Sequence, residues 1–276
     1  MKYTLRNYQK QASDAAVRLF TSKADKNGLV ILPTGAGKSL VIADIASRLE
    51  GPLLVFQPSK EILQQNFAKL QSYGIFDCGC YSASVGCKDI NRITFATIGS
   101  VMNHMSDFDC FKNIIIDECH YVNSKAGQYK EFIEAKNRQV VGLTATPYRL
   151  DRAEGGSILK FLTRVRPRIF SKVIYCCQIG ELLSKGYLAD LHYYDFTELD
   201  LRRVRSNSTG ADYDERSLLA EYERCGFYDK LSNTVVKVLQ PKSGIPRKGY
   251  LYLLLSQRRL GSWLISFNHS ESMPPS

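Results

Sequence analysis

The residues best suited to chemistry lie in the segment PTGAGKS, residues 33–39, between an apolar run and a helical pattern. A phosphate tail is bound by backbone N–H groups that converge at a helix N-terminus, and small residues let the backbone approach closely. Gly35 and Gly37 supply that freedom, Lys38 can reach the terminal phosphates, and the Ser39 hydroxyl can bind Mg²⁺. A chance glycine-rich turn is disfavoured by the strand–loop–helix context. The predicted phosphate-binding set is Thr34, Gly35, Ala36, Gly37, Lys38 and Ser39.

Two adjacent carboxylates follow another apolar run in the segment IIIDECH, residues 114–120. Ligands of open parallel sheets bind at the carboxyl ends of the strands, so Asp117 and Glu118 should emerge beside the phosphate-binding loop. Asp117 is predicted to hold Mg²⁺ through its water shell, and Glu118 to orient and deprotonate an attacking water. His120 can be a core histidine, but in this motif we favour a polar link between the nucleotide and the path of a nucleic acid. Acidic residues often end strands, so this segment is informative only in combination with the loop.

A third segment, GLTATPYRL at residues 142–150, places two hydroxyls at the end of a further apolar run. Thr144 and Thr146 are predicted to bond the acidic segment and to sense whether phosphate is present. Pro147 then ends the strand, since it has no N–H to donate. The TAT triplet alone carries almost no information, whereas its position after the other two segments is diagnostic.

The spacing of apolar residues predicts the elements that position these segments. Apolar runs at 28–32, 52–56, 93–96, 113–116 and 139–143 predict strands, and helical spacing at 9–20, 38–49 and 60–70 predicts helices between them. Such strands indicate a parallel sheet covered on both faces, in an open α/β domain. Further along, we expect helices at 179–187 and 217–238, a surface loop at 197–214, a linker from 240, a strand at 250–255 and a frayed tail.

With the three segments in this order, residues 1 to about 150 resemble the first RecA-like domain of superfamily 2 DExH helicases. The resemblance implies a P-loop RecA-like fold, ATP and Mg²⁺ as cofactors, and ATP hydrolysis coupled to movement on nucleic acid. Single-stranded or forked DNA is the expected partner, with RNA as an alternative. The wording of the segments is most similar to the RadD-like branch of bacterial and phage DNA helicases.

The resemblance also assigns residues outside the three segments. In LRNYQ, residues 5–9, Gln9 would bond the adenine edge and Arg6 would stack on the base. Residues 58–66 and 96–100 resemble motifs that follow the sugar–phosphate backbone with little sequence preference. The nucleic-acid contacts expected from them are Ser59, Lys60, Thr97 and Ser100.

Three parts are predicted along the chain: a RecA-like ATP-binding domain at 1–150, a basic, partly helical extension at 151–240, and a truncated or aberrant start of a second domain at 241–276. The family's second motor domain carries a Q-x-x-G-R-x-x-R segment, and nothing here resembles it. We therefore expect a half-motor that binds Mg·ATP and turns over slowly, with a second motor domain or accessory repair proteins as partners. The alternatives are a binding module without effective turnover and the motor fragment of a restriction-type translocase.

The chain of 276 residues has 37 Lys plus Arg against 27 Asp plus Glu, a net charge of +10. This excess favours polyanionic partners, although a basic surface can also serve only solubility. Residues 160–172 and the cluster Arg202, Arg203 and Arg205 could equally be solvated surface or nucleic-acid contacts. The eight cysteines show no disulfide framework, and no signal or membrane run is present, so we expect a cytoplasmic protein with reduced thiols.

Overall fold

The computed structural model describes residues 4–22, 27–136, 138–153, 156–188, 199–206 and 213–239. The predicted linker from 240, the strand at 250–255 and the tail lie outside these residues. The chain divides into two compact units, Met1–Ala153 with Ser157–Asp190, and Glu154–Gly156 with Leu191–Ser276. Within the described ranges, no helix is long and apolar enough to cross a lipid bilayer.

The first unit is built on an eight-stranded sheet. Its strands are β1 (Gly28–Ile31), β2 (Leu53–Phe56), β3 (Cys78–Ser82), β4 (Cys87–Lys88), β5 (Ile93–Ala96), β6 (Asn113–Asp117), β7 (Gln139–Thr144) and β10 (Lys172–Cys176). Their order is β10-β1-β7-β6-β2-β5-β3-β4, and neighbours are parallel except β3 and β4. A separate hairpin pairs β8 (Tyr148–Ala153) with β9 (Gly156–Phe161).

The first unit also contains six α-helices: α1 (Asn7–Thr21) before the first strand, α2 (Lys38–Arg48), α3 (Lys60–Ser72), α4 (Ile98–Met102) and α5 (Gln128–Glu134) between strands, and α6 (Ile179–Ser184) after the last strand. Alternate strand residues enter different cores. Val55 packs into the core that contains residues of α1, α2 and α3, whereas Leu54 and Phe56 pack into the core that contains residues of α4 and α5. Because both faces of each central strand are buried, those strands consist mainly of apolar residues, with polar residues mostly at their ends. The predicted α/β class is therefore confirmed.

Three parts of the structure differ from the sequence-based expectations. The first unit continues past residue 150 because β10 pairs with β1, Gly28 opposite Lys172. The prediction of a single helix at 217–238 is wrong, because the structure has two helices there, α7 (Glu215–Arg224) and α8 (Phe227–Leu239), with Gly226 between them. The expectation of reduced thiols fails at Cys80 and Cys87, which form a disulfide because the β3–β4 pairing brings them together.

Candidate active site at the carboxyl edge of the sheet

The predicted phosphate-binding loop runs from the end of β1 to the start of α2. Gly35 and Gly37 have φ values of 81° and 80°, and Gly37 is the N-cap of α2. A Cβ at Gly37 would lie 2.6 Å from Nε2 of Gln9, so both the backbone conformation and the space require glycine there. The loop's N–H groups thus stand at the N-terminus of a three-turn helix, which suits an anion.

The start of α1 holds this loop from one side. The Tyr8 hydroxyl and Gln9 Nε2 each donate to the carbonyl oxygen of Ala36, at 2.9 Å. Gln9 Oε1 accepts from the Arg6 backbone N–H at 2.9 Å. One N–H and one lone pair of the Gln9 amide are left for the edge of a base. The adenine-reading role of Gln9 remains a prediction.

An aromatic side chain that sequence reasoning missed lies beside Arg6. The Arg6 guanidinium carbon is 4.2 Å from the centroid of the Tyr187 ring, and that ring lies 5.8 Å from the ring of Tyr8. In this structure Arg6 therefore stacks on a tyrosine, in a cation–π contact, and its predicted stacking on a base remains untested. The available sequence signal for Tyr187 was its place as the aromatic residue in the segment LLSKGYLAD, residues 182–190.

The two carboxylates of the acidic segment face the loop. Asp117 ends β6 and is 4% exposed. Glu118 follows with φ 48°, a left-handed conformation that non-glycine residues rarely adopt and that is often found at functional sites. Its Oε1 pairs with the ammonium of Lys38, the loop's cation. Two groups that are far apart in the sequence, both predicted to be catalytic, are thus in direct contact.

Asp117 is fixed by an amide that sequence reasoning did not single out. Its Oδ2 accepts from Asn66 Nδ2 at 3.3 Å, and the same Asn66 nitrogen donates to Gln57 Oε1 at 3.0 Å. Asn66 lies on α3 three residues after the buried Leu63 and four before the buried Leu70. A polar side chain at this spacing on the inward helix face was the available signal.

Burial is the main cause that raises the pKa of Asp117 to about 6. The positive charge of Lys38 opposes this shift, while the neighbouring Glu118 carboxylate adds to it. The folded pKa lies above the ordinary value of 3.8, so the folded protein holds this proton more tightly than the unfolded chain. The protonated Asp117 therefore contributes fully to the free energy of unfolding below about pH 4. This contribution is lost as the pH rises to about 6.

Asp117→Asn should consequently stabilise the metal-free and nucleotide-free protein at pH 8 by about 2–3 kcal/mol, which corresponds to a shift of roughly two pKa units. The difference should shrink toward zero near pH 4. Denaturant unfolding at both pH values, in the presence of a chelator, measures it. Asp107→Asn, at an exposed carboxylate, is the control. An equal effect at both pH values would contradict the assigned cause.

His120 connects the acidic segment to the third segment. Its Nδ1 lies 3.0 Å from Thr144 Oγ1, 3.3 Å from Thr146 Oγ1 and 3.3 Å from Glu118 Oε2. The Thr146 backbone N–H also donates to Thr144 Oγ1, at 3.0 Å. The structure thus brings together all three residues predicted to couple the site. Their role in sensing phosphate remains a prediction.

The residues predicted to contact nucleic acid follow β2 and β5 at the same edge of the sheet. Ser59 caps α3 by accepting from the Ile62 N–H at 3.4 Å, and Lys60 beside it is exposed. Thr97 Oγ1 lies 3.0 Å from Ser100 Oγ, which accepts from the Ala83 N–H at 2.9 Å. Since Ser100 is buried, its hydroxyl serves the fold here, and Lys60 is the better placed of the four for a ligand.

Fold and site together define a RecA-like ATP-binding domain of the helicase type. Residues 2–149 match the family described as "Type III restriction enzyme, res subunit", and the chain belongs to that family. The predicted first RecA-like domain is thereby confirmed. Its assignment to the RadD-like branch stays a prediction.

Relatives and solved structures agree with this placement. The DNA 3'-5' translocase XPB2 of Sulfurisphaera tokodaii is 28% identical over 189 residues, which are 68% of this chain and 39% of that protein. Rad25 of Haloarcula marismortui is 28% identical over 244 residues, 80% of this chain and 36% of that one. The chain thus spans less than two fifths of these relatives. A nuclease-deletion mutant of the Type ISP restriction-modification enzyme LlaGI, solved with a DNA substrate mimic, is 17% identical with a TM-score of 0.50; the match covers 67% of this chain and 21% of that one and shows the fold alone.

Proposed function

We propose that this chain binds Mg·ATP at the carboxyl edge of its sheet and hydrolyses it, and that hydrolysis is coupled to movement on DNA. The observation that carries the proposal is the contact between Lys38 and Glu118. It joins the cation of a phosphate-binding loop to a carboxylate at the end of a neighbouring strand. The contact places two groups that phosphoryl transfer to water uses, a cation for the phosphates and a carboxylate base, at the same edge of the sheet.

The residues of the site have distinct parts in this reaction. The loop N–H groups and Lys38 would hold the phosphates, while the Ser39 hydroxyl and the Asp117 carboxylate offer the oxygen ligands that Mg²⁺ prefers. When bound, Mg²⁺ neutralises charge on the phosphates. Glu118 would take the proton from a water whose oxygen bonds to the γ-phosphorus as the bond to the leaving ADP oxygen breaks.

The Lys38–Glu118 pair gives this reaction an order of events. Lys38 cannot make its best contacts with both Glu118 and the phosphates, so nucleotide binding should draw its ammonium away from the carboxylate. Glu118 would then be free to accept a proton only when phosphate is present. His120, which faces the second oxygen of Glu118, would pass this change to Thr144 and Thr146.

The connection to nucleic acid is proposed to run through α3. Asn66 of this helix binds Asp117, and the same helix begins at Ser59 and Lys60. A strand held at the start of α3 could thus affect the position of the Asp117 carboxylate. DNA is the favoured strand because XPB2 is named as a DNA translocase, and RNA is the alternative.

Steady-state ATP hydrolysis with and without single-stranded DNA tests the proposal. We expect turnover that requires Mg²⁺ and rises when DNA is added, because the strand biases the α3–Asp117 contact. An RNA strand of the same sequence, assayed in parallel, decides between the two polymers. Nucleotide binding without turnover under any of these conditions would favour the binding module instead.

The family match also favours a second candidate, the motor of a restriction-type translocase. The chemistry at the ATP site would be the same, and the difference would lie in the partners. Displacement of a triplex-forming strand from duplex DNA detects translocation without unwinding. Strand displacement from a fork detects unwinding, and the pair of assays separates the two candidates.

A further inference from the structure

The second unit carries a cavity of about 680 Å³ that none of the helicase-type segments contributes to. It lies between the single helical turn Leu201–Arg203 and α7. Four of its lining side chains are arginines and two are carboxylates: Arg203, Arg205, Arg216, Arg224, Asp214 and Glu221. Its lining therefore has an excess of positive charge, and the charge available to a ligand depends on which of these arginines pair with carboxylates of the protein.

Both carboxylates of the cavity are engaged within the unit. Asp214 Oδ1 accepts from the Ser217 N–H at 2.9 Å and so caps α7. Glu221 is 3% exposed and accepts from Arg224 at 2.6 and 2.7 Å and from the Asp200 N–H at 2.9 Å. These hydrogen bonds, that from Arg224 first, lower the pKa of Glu221 to about 2. The carboxylate is thus ionised and committed to Arg224.

The remaining arginines are not all neutralised in this way. Arg203 lies 3.5 Å from Asp200, outside the cavity lining. Arg205 and Arg216 are exposed, and neither guanidinium has an ion-pair partner among the residues that the structure describes. A guanidinium matches two oxygens of a phosphate group at once, which makes an unpaired pair of arginines in a cavity a fitting anion site.

We propose that this cavity binds the phosphodiester backbone of a nucleic-acid strand through Arg205 and Arg216. The inference rests on the proposed function, since the strand would be the one on which the ATP site acts. A backbone contact of this kind carries no base preference, in keeping with a motor that moves over any sequence.

The test is the affinity of the full chain for a fluorescent oligothymidine of twenty nucleotides, measured across a salt series without ATP. In the double variant Arg205→Ala/Arg216→Ala, affinity at low salt should fall about tenfold or more. The slope of log affinity against log salt should shrink by about 1.4, since each single-strand phosphate contact contributes about 0.7. The control Arg18→Ala/Lys112→Ala removes two exposed cations outside the cavity and should match the original chain.

Further outcomes decide between the readings. Arg205→Lys/Arg216→Lys keeps both charges and should retain most of the salt slope while it loses part of the affinity. If the double alanine variant equals the original chain in affinity and slope, the cavity assignment is wrong while the proposed function stands. If the original chain binds no strand, both the cavity assignment and the proposed function are wrong. Calorimetry with inorganic phosphate supplies the last arm: a variant that loses phosphate binding yet keeps its oligonucleotide affinity would show a small-anion site and overturn the proposal.

Discussion

Lys38→Ala is expected to lower the affinity for a non-hydrolysable ATP analogue by about 100-fold or more while the protein stays folded. Charge-assisted hydrogen bonds to phosphate contribute roughly 1.5–3 kcal/mol each, and this ammonium can make two of them. Alanine is the best helix former, so the start of α2 should tolerate the change. Calorimetry with the analogue measures the loss, and circular dichroism checks the fold.

Lys130→Ala is the matched control for this variant. Lys130 also faces a glutamate, with Nζ 2.7 Å from Glu134 Oε2, but this pair lies along α5 and neither residue belongs to the loop or to the acidic segment. Its removal should leave nucleotide affinity unchanged. Unaltered affinity in a folded Lys38→Ala protein would contradict the assignment of residues 33–39 as a phosphate-binding loop.

Glu118→Gln should not weaken nucleotide binding as Lys38→Ala does, and it should greatly lower the rate of ATP turnover. The amide keeps the size of the side chain but cannot accept the proton from water, so turnover should fall about 10²- to 10⁴-fold. Binding should be equal or tighter, because Lys38 no longer has a competing anion and one negative charge near the phosphates is gone. Single-turnover phosphate release and calorimetry, on one preparation, separate the two effects.

Glu134→Gln provides the control, since that glutamate also pairs with a lysine. Undiminished turnover in Glu118→Gln would show that this residue is not the base. A loss of affinity as large as that of Lys38→Ala would show instead that the ion pair serves only to hold the loop. The opposite signs on affinity therefore distinguish a catalytic pair from a structural one.

The central strands could be predicted because parallel strands with two buried faces consist of apolar runs. The runs at 93–96, 113–116 and 139–143 match β5, β6 and β7 to within a residue. β3 has the sequence CGCYS, which contains no Ile, Val or Leu, and so went unnoticed. β10 begins within a cation-rich stretch and lies at the sheet edge with several exposed side chains, so its hydrophobic pattern is weak.

At the site, sequence reasoning identified the groups whose chemistry depends on spacing along the chain. The loop glycines, Lys38 and the 117–118 carboxylates belong to that class. Asn66 and Tyr187 were not predicted as site residues, because their roles depend on which elements pack together rather than on spacing along the chain. Ser100 shows the converse: a motif assigned it to a ligand, while tertiary packing ties its hydroxyl to the Ala83 N–H.

The position of β1 in the sheet has a consequence for biosynthesis. Its two neighbours are β7 and β10, so Gly28 pairs with Val141 on one side and Lys172 on the other. A ribosome completes this strand early but must translate most of the domain before either partner emerges. Until then Leu29 and Val30 form a short apolar segment without partners, the kind of surface that chaperones bind. The strand that leads into the phosphate-binding loop can therefore join the sheet only after β7 has been translated, whereas β2, β3, β5 and β6 can pair with one another before that point.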